Sequence, residues 1–140
     1  MKLRKANDND IEAINKLEQE SFTDAWSEAL ISNMFSNSFD TIIVLEDEGK
    51  IIGYINYRDI GGDVDLMAIC VAKEERGKGY SKLLMDELMK HECHQIILEV
   101  RESNIIAQNL YETYGFEKYA RRKEYYTSPV EDALIMIYKQ

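Results

Sequence analysis

A mixed α/β fold in one domain is what this sequence predicts, on three observations. Short β-rich apolar runs alternate with stretches whose apolar residues recur at helical spacing. Gly and Asn/Asp clusters punctuate them. One stretch reads as a strand-loop-helix-strand unit. The 140 residues, 45% apolar and 31% charged, suit a single domain spanning 1–140 with a hydrophobic core of its own.

The elements follow in order. Lys2–Lys5 reads as a short strand. Ile11, Ile14, Leu17 and Phe22 recur near helical spacing behind the Asn/Asp cluster at positions 7–10, which supplies N-caps. Ser27 caps a second short helix carrying Leu30, Ile31, Met34 and Phe35. Phe39–Glu46 and Ile51–Asp59 form a hairpin across Asp47-Glu48-Gly49-Lys50, and Gly61-Gly62 makes the next turn. Asp63–Val71, whose apolar residues hardly alternate, reads as a strand buried on both faces. Gly79 to about His91 is helical, with Tyr80, Leu83, Leu84 and Leu88 on one stripe, and Ile96–Val100 is a further strand. Asn104–Tyr114 is a helix closed by Gly115, and strands near Glu117–Tyr126 and Asp132–Lys139 end the chain.

Charge and composition exclude several function classes. With 17 basic against 26 acidic residues, net −9, the chain is ill suited to neutralising phosphates, so direct nucleic-acid binding is not expected. The longest apolar run, Leu66–Ala72, is seven residues, far short of the roughly 18 a membrane span needs. Met1-Lys2-Leu3-Arg4-Lys5 leads into Asn and Asp without an apolar signal segment, and Cys70 and Cys93 show no paired spacing; both point to the cytoplasm. His91, Cys93 and His94 lack a fourth ligand, so no metal is expected.

Glu75-Arg76-Gly77-Lys78-Gly79-Tyr80-Ser81-Lys82 joins a strand to a helix, where free N–H groups and the positive helix end collect anions. Missing side chains let oxygens approach the main chain, and Arg76, Lys78 and Lys82 add charge. An isolated Gly-x-Gly reads equally as a solvated turn. The Walker pattern is missing. A dinucleotide fingerprint with Glu99 as its acidic residue fails, because Lys82 stands where a small residue is required and the loop starts late after its strand.

Read as Arg76-x-x-Gly79-x-Ser81, the loop resembles motif A of the GNAT N-acetyltransferases, with Ser81 in place of the usual Gly or Ala. Asn104-x2-Ala107-x2-Leu110-Tyr111-x3-Gly115-Phe116 is similar to that family's second cofactor motif. Trp26-Ser27-Glu28, Leu98–Asn104, Arg121-Arg122-x-x-Tyr125-Tyr126 and Glu131-Asp132-Ala133 resemble the RimI-type, ribosomal-protein alanine branch. The resemblance implies a twisted, mostly antiparallel sheet flanked by helices, with a central parallel pair splayed at the cofactor site. It implies acetyl-CoA as donor, its diphosphate wrapped by the backbone from Arg76 through Lys82 and its pantetheine paired with the backbone of Ile69, Cys70 and Val71. Asn104 and Tyr111 would complete that site. The implied acceptor is the N-terminus of a ribosomal protein or another peptide, and the implied state a monomer or weak dimer.

Acetyl transfer needs an unprotonated amine and a proton for the departing thiolate. At pH 7 an α-amine costs about 1 kcal/mol to deprotonate and a lysine about 4.6 kcal/mol, so an N-terminus is the easier acceptor. Glu99, one carboxylate in the apolar run Ile96–Val100, is the candidate base, because desolvation raises a carboxyl's pKa. Pairing with Arg101, two residues on, is the structural alternative. The resemblance places the family's base at Glu99. Tyr111 is the candidate acid, with core packing as its alternative; Ile106, Leu110 and Tyr114 form a neighbouring apolar stripe. Trp26 and Tyr125 are candidates for binding the acceptor, or simply packing residues, and Arg121-Arg122-Lys123 is by default a solvated strand. Acetylation of a small amine or lysine, or non-catalytic binding of acetyl-CoA, are the alternative functions.

Overall fold

The computed structural model describes residues 1–140. Its strands are β1 (Lys2–Lys5), β2 (Asp40–Asp47), β3 (Lys50–Ile60), β4 (Asp63–Val71), β5 (Gln95–Arg101), β6 (Glu117–Tyr126) and β7 (Glu131–Lys139). Its α-helices are α1 (Ile11–Ser21), α2 (Glu28–Phe35), α3 (Tyr80–Met89) and α4 (Ile105–Thr113). One seven-stranded sheet has the order β1-β2-β3-β4-β5-β7-β6. The pairs β1/β2, β2/β3, β5/β7 and β6/β7 are antiparallel. β4 and β5 are parallel, and their ladder joins Asp63–Asp65 to Gln95–Ile97, although β4 continues to Val71 and β5 to Arg101. The mixed sheet and its parallel pair are the architecture that the sequence implied. No helix is long and apolar enough to cross a membrane.

The chain forms two compact units, Met1–Arg58 with Met67–His91 and Asp59–Leu66 with Glu92–Gln140. In the first, Asn7 and Asp10 close a capping box before α1, and the Ser27 hydroxyl accepts the Leu30 N–H at 3.2 Å to start α2. These caps aim Ile14, Leu17, Ile31 and Met34 at Ile42, Val44, Tyr54 and Cys70. Ile14 and Ile31 are fully buried, each contributing about 1.5–3 kcal/mol relative to exposure. Gly53 admits α3, because a Cβ there would stand 3.4 Å from Leu84 Cδ1 and 3.0 Å from the Cys70 carbonyl oxygen.

In the second unit Ile96, Leu98 and Val100 are buried, with Met136 and Leu134 of β7 opposite Leu98 and Val100. The end of α4 is a Schellman motif: Phe116 N–H bonds the Tyr111 carbonyl at 3.1 Å and Gly115 N–H the Glu112 carbonyl at 3.0 Å. The Tyr111 and Phe116 rings meet across it, 5.9 Å between centroids.

Four expectations about faces are corrected. Phe22 lies beyond α1 in extended backbone and is exposed, because the helix ends at Ser21. On α3 the buried residues are Leu84, Met85 and Leu88, and Leu83 is turned out; the stripe is rotated by one residue. β4 is not buried on both faces: Val64 and Leu66 alternate with exposed Asp63 and Asp65, and Met67–Ile69 are half-buried beyond the end of the parallel ladder. On α4 the buried side chains are Gln108 and Tyr111, while Ile106 is 86% exposed, so the expected Ile106–Leu110–Tyr114 stripe is not the packing face.

Gly115 has φ +94°, and an added Cβ would meet the Tyr138 ring at 3.4 Å. Gly115→Ala is expected to lower stability by about 1–2 kcal/mol, seen as a lower urea midpoint with an unchanged slope. An unshifted midpoint contradicts the left-handed cap.

Candidate active site

In the first unit, the loop after β4 begins with a 3-10 turn over Lys73–Glu75 and enters α3 through Gly77 and Gly79, at φ +81° and +82°. A Cβ on either glycine would meet nothing within 4 Å, so it is the backbone conformation that demands glycine here. The N–H groups from Gly77 to Ser81 take no backbone partner, whereas Lys82 N–H already bonds the Gly79 carbonyl at 3.2 Å. Consecutive unpaired N–H groups at a helix start make an anion-binding cradle. Two of the three expected cationic side chains are otherwise engaged: Lys78 pairs with Glu75 at 2.8 Å, and Arg76 bonds the Val71 carbonyl at 3.1 Å and the Ser21 hydroxyl at 2.8 Å.

The Ala72 N–H bonds the Ile52 carbonyl at 2.8 Å, so strand alternation turns the N–H and C=O of Ile69 and Val71 to the opposite edge of β4. Cys70 points into the core. Its sulfur lies 2.9 Å from the Ser21 hydroxyl and 3.5 Å from the Leu17 carbonyl, and burial pushes the thiol up to about 11.

In the second unit Glu99 sits on the half-exposed face of β5, because the strand alternates and turns Leu98 and Val100 inward. Its side chain is 29% exposed, less enclosed than the apolar run suggested. Oε1 lies 3.9 Å from Arg122 Nε, and Oε2 is buried without a hydrogen-bond partner. Arg101 is engaged on the β6–β7 side. That guanidinium pairs with Glu131 at 3.1 Å, holds the Pro129 and Thr127 carbonyls at 3.0 Å, and stacks 4.4 Å from the centre of the Tyr126 ring, bracing the β6–β7 turn. Tyr125 is 47% exposed, packs edge-on against Tyr126 at 5.0 Å and lies under the Arg122 guanidinium at 5.5 Å. Burial first, then the Glu99 charge and hydrogen bond, hold the Tyr125 phenol above its ordinary value. Burial pushes Tyr126 up to about 12, with Glu99 adding to it.

Tyr111 is buried, and burial raises its phenol above the ordinary value, with Tyr126 a lesser contributor. It therefore stays a neutral donor and gives up its proton at greater cost than a free phenol. Asn104 is the N-cap of α4, its side-chain oxygen accepting the Ala107 N–H at 3.1 Å, and so that oxygen is committed to the helix. Buried Gln108 gives its amide hydrogens to the Arg101 and Glu102 carbonyls at 3.1 and 2.8 Å, tying α4 to the end of β5.

Trp26 packs against the first unit's core and is held by its backbone. Its N–H bonds Glu18 Oε1 at 3.2 Å and its carbonyl accepts the Asn15 amide at 2.9 Å. Glu18 is buried, and its other oxygen accepts the hydroxyl of fully buried Tyr54. Sequence reasoning missed Glu18. The signal was a carboxylate four residues after Ile14 on the apolar side of α1. His91 stacks on Tyr57 at 5.2 Å, and His94 closes over Gly62 with its N–H 2.7 Å from the Gly62 carbonyl.

Comparison with known proteins sets this chemistry in a class. The sequence model described as "Acetyltransferase (GNAT) family" matches residues 11–116. The chain belongs to that family and is an acetyl-CoA-dependent N-acetyltransferase. It is 31% identical over 134 residues to the [ribosomal protein bS18]-alanine N-acetyltransferase of Haemophilus influenzae, covering 91% of this chain and 90% of that one. It is 31% identical over 145 residues to an uncharacterised N-acetyltransferase of Methanocaldococcus jannaschii, covering 100% and 92%. The crystal structure of the ribosomal-protein-S18-alanine N-acetyltransferase of Escherichia coli superposes with a TM-score of 0.90 at 28% identity, covering 99% of this chain and 92% of that one.

Burial raises the Glu18 carboxyl above its ordinary value near 4.5, against the lowering effect of its Tyr54 and Trp26 hydrogen bonds. The folded chain therefore keeps a proton that the unfolded chain has released. That contribution to stability is complete below about 4.5 and is lost as pH rises through the folded value. Glu18→Gln cannot ionise, so its unfolding midpoint relative to the parent is expected to climb as pH rises from about 4.5 towards neutrality; a gap independent of pH contradicts the raised carboxyl.

Proposed function

We propose that this enzyme acetylates the α-amine of a peptide N-terminus, with a small-subunit ribosomal protein beginning in alanine as acceptor, and that Glu99 is the base. The observation carrying the reading is Glu99 Oε2, a buried carboxylate oxygen with no partner on a residue that is otherwise held by Arg122. A buried unpaired acceptor is costly, by about 1–3 kcal/mol or more for a charged group. An arriving ammonium satisfies it. The acceptor's identity is supported by the bS18-alanine names of the similar proteins and by the lower cost of deprotonating an α-amine.

The residues present fit acetyl-CoA. Gly77 and Gly79 leave open space where side chains would stand, and the unpaired N–H groups to Ser81 suit a diphosphate. The side chain of Ser81 is small enough not to close that cradle. The outward backbone of Ile69 and Val71 suits the amides of the pantetheine arm, with the Val71 carbonyl shared with Arg76. Bound acetyl-CoA supplies the activated acetyl thioester. Glu99 would take a proton from the acceptor ammonium, freeing the lone pair to form the C–N bond to the thioester carbon as the C–S bond breaks, and the second proton shed by the nitrogen would restore the Tyr111 phenol. The Tyr111 phenol holds its proton until charge develops on the departing sulfur, then donates it. Tyr125 and Tyr126 flank Glu99 and line the acceptor's approach, fixed by Arg101 through the turn it braces.

The test is mass mapping of products after incubation with acetyl-CoA and either an alanine-initiated ribosomal peptide or a polyamine. The expected product is the peptide acetylated at its α-amine; modification of the polyamine alone contradicts the acceptor. Glu99→Gln is expected to lower kcat by about 10²–10⁴-fold with the Kd for acetyl-CoA unchanged. Parental turnover across pH would remove Glu99 from the mechanism.

A further inference from the structure

We propose that Arg76 and Ser21 form a positioning pair that sets the backbone of the diphosphate loop, and that Arg76 acts through this pair rather than as a charge on the phosphate. The inference rests on the reading of Gly77–Ser81 as that loop. Arg76 follows the 3-10 turn over Lys73–Glu75, and its Nε bonds the Val71 carbonyl at 3.1 Å, closing the segment from the end of β4 into a ring. Its Nη2 bonds the hydroxyl of Ser21, the last residue of α1, at 2.8 Å. Two of the three guanidinium nitrogens are thus turned back onto the scaffold.

The hydroxyl is itself fixed. Having accepted from Arg76, Ser21 has its proton available for the Cys70 sulfur 2.9 Å away, and the Cys70 thiol reaches the Leu17 carbonyl at 3.5 Å. Donors and acceptors run in one direction, Arg76 to Ser21 to Cys70 to Leu17, with no group offered two donors or two acceptors. Leu17 and Ser21 lie one turn apart on α1, and Cys70 adjoins Val71 on β4. The chain of bonds therefore fixes the loop's first residue against two rigid elements, immediately before the left-handed glycines. A planar fork makes both bonds at once, which a lysine ammonium at this position cannot reproduce.

The test measures acetyl-CoA binding by calorimetry, with turnover of a short acetyl thioester lacking the nucleotide as a second readout. Ser21→Ala keeps every charge near the loop. It is expected to weaken acetyl-CoA binding roughly three- to tenfold while sparing the short thioester. Ser21→Thr, which restores the hydroxyl, is expected to recover parental affinity. Arg76→Ala combined with Ser21→Ala is expected to bind no more weakly than Arg76→Ala alone. Unchanged affinity in Ser21→Ala, failure of Ser21→Thr to recover it, or penalties that multiply in the double variant overturn the pair. If the parent itself does not bind acetyl-CoA, the reading of the loop falls and the pair with it; if the parent binds and the variants behave otherwise than stated, only the pair falls.

Discussion

Unpaired backbone N–H groups at the start of α3 are the constraint on which the proposed mode of acetyl-CoA binding depends. A helix cannot satisfy its first N–H groups from within. Gly77 and Gly79, both in left-handed backbone, present the adjoining ones as well, so the demand is concentrated on one short stretch. Two of the neighbouring charges are engaged elsewhere, Lys78 on Glu75 and Arg76 on Val71 and Ser21. In the proposed reading an anion is met chiefly by main-chain dipoles. Such dipoles are fixed in direction before the ligand arrives, so little reorganisation is needed on binding.

Buried polar groups mark where this protein gives up stability for geometry. Glu18 has no cation beside it and is held by the Tyr54 hydroxyl and the Trp26 N–H. The result is a fixed path for the segment between α1 and α2. Gln108 does the same for α4 and the end of β5, and Arg101 for the β6–β7 turn. Glu99 differs from these. One of its oxygens is buried and unmatched, and the aromatic rings beside it are held neutral by burial. Glu18, Gln108 and Arg101 are satisfied within the chain, whereas Glu99 Oε2, like Asn56 Oδ1, is not, and in the proposed reading the acceptor amine satisfies Glu99.

Much of this was legible in the residues, for identifiable reasons. Caps at Asn7 and Ser27 and the left-handed stop at Gly115 are set by local chemistry, so the helix ends they specify are found where expected. β4 spans Asp63–Val71 as read, because Gly61-Gly62 and the charged loop bound it. Faces were harder. Leu83 and Met85 differ too little in hydropathy to decide which is turned inward, and Ile106 reads as core although Gln108 takes that place through two backbone carbonyls. Glu99 stands in an apolar run, yet period-two alternation sets it on the half-exposed face. Its expected partner Arg101 pairs with Glu131, thirty positions away in sequence, which no local pattern reveals. The Arg76–Ser21 bond is equally non-local.

The most direct measurement is an amide-resolved NMR titration with acetyl-CoA, repeated with a short acetyl thioester that lacks the diphosphate. The largest shifts from acetyl-CoA are expected at the N–H groups of Gly77–Ser81, absent with the short thioester. If those amides stay still while acetyl-CoA saturates the protein and shifts appear elsewhere, the diphosphate is held by another surface and the account is wrong.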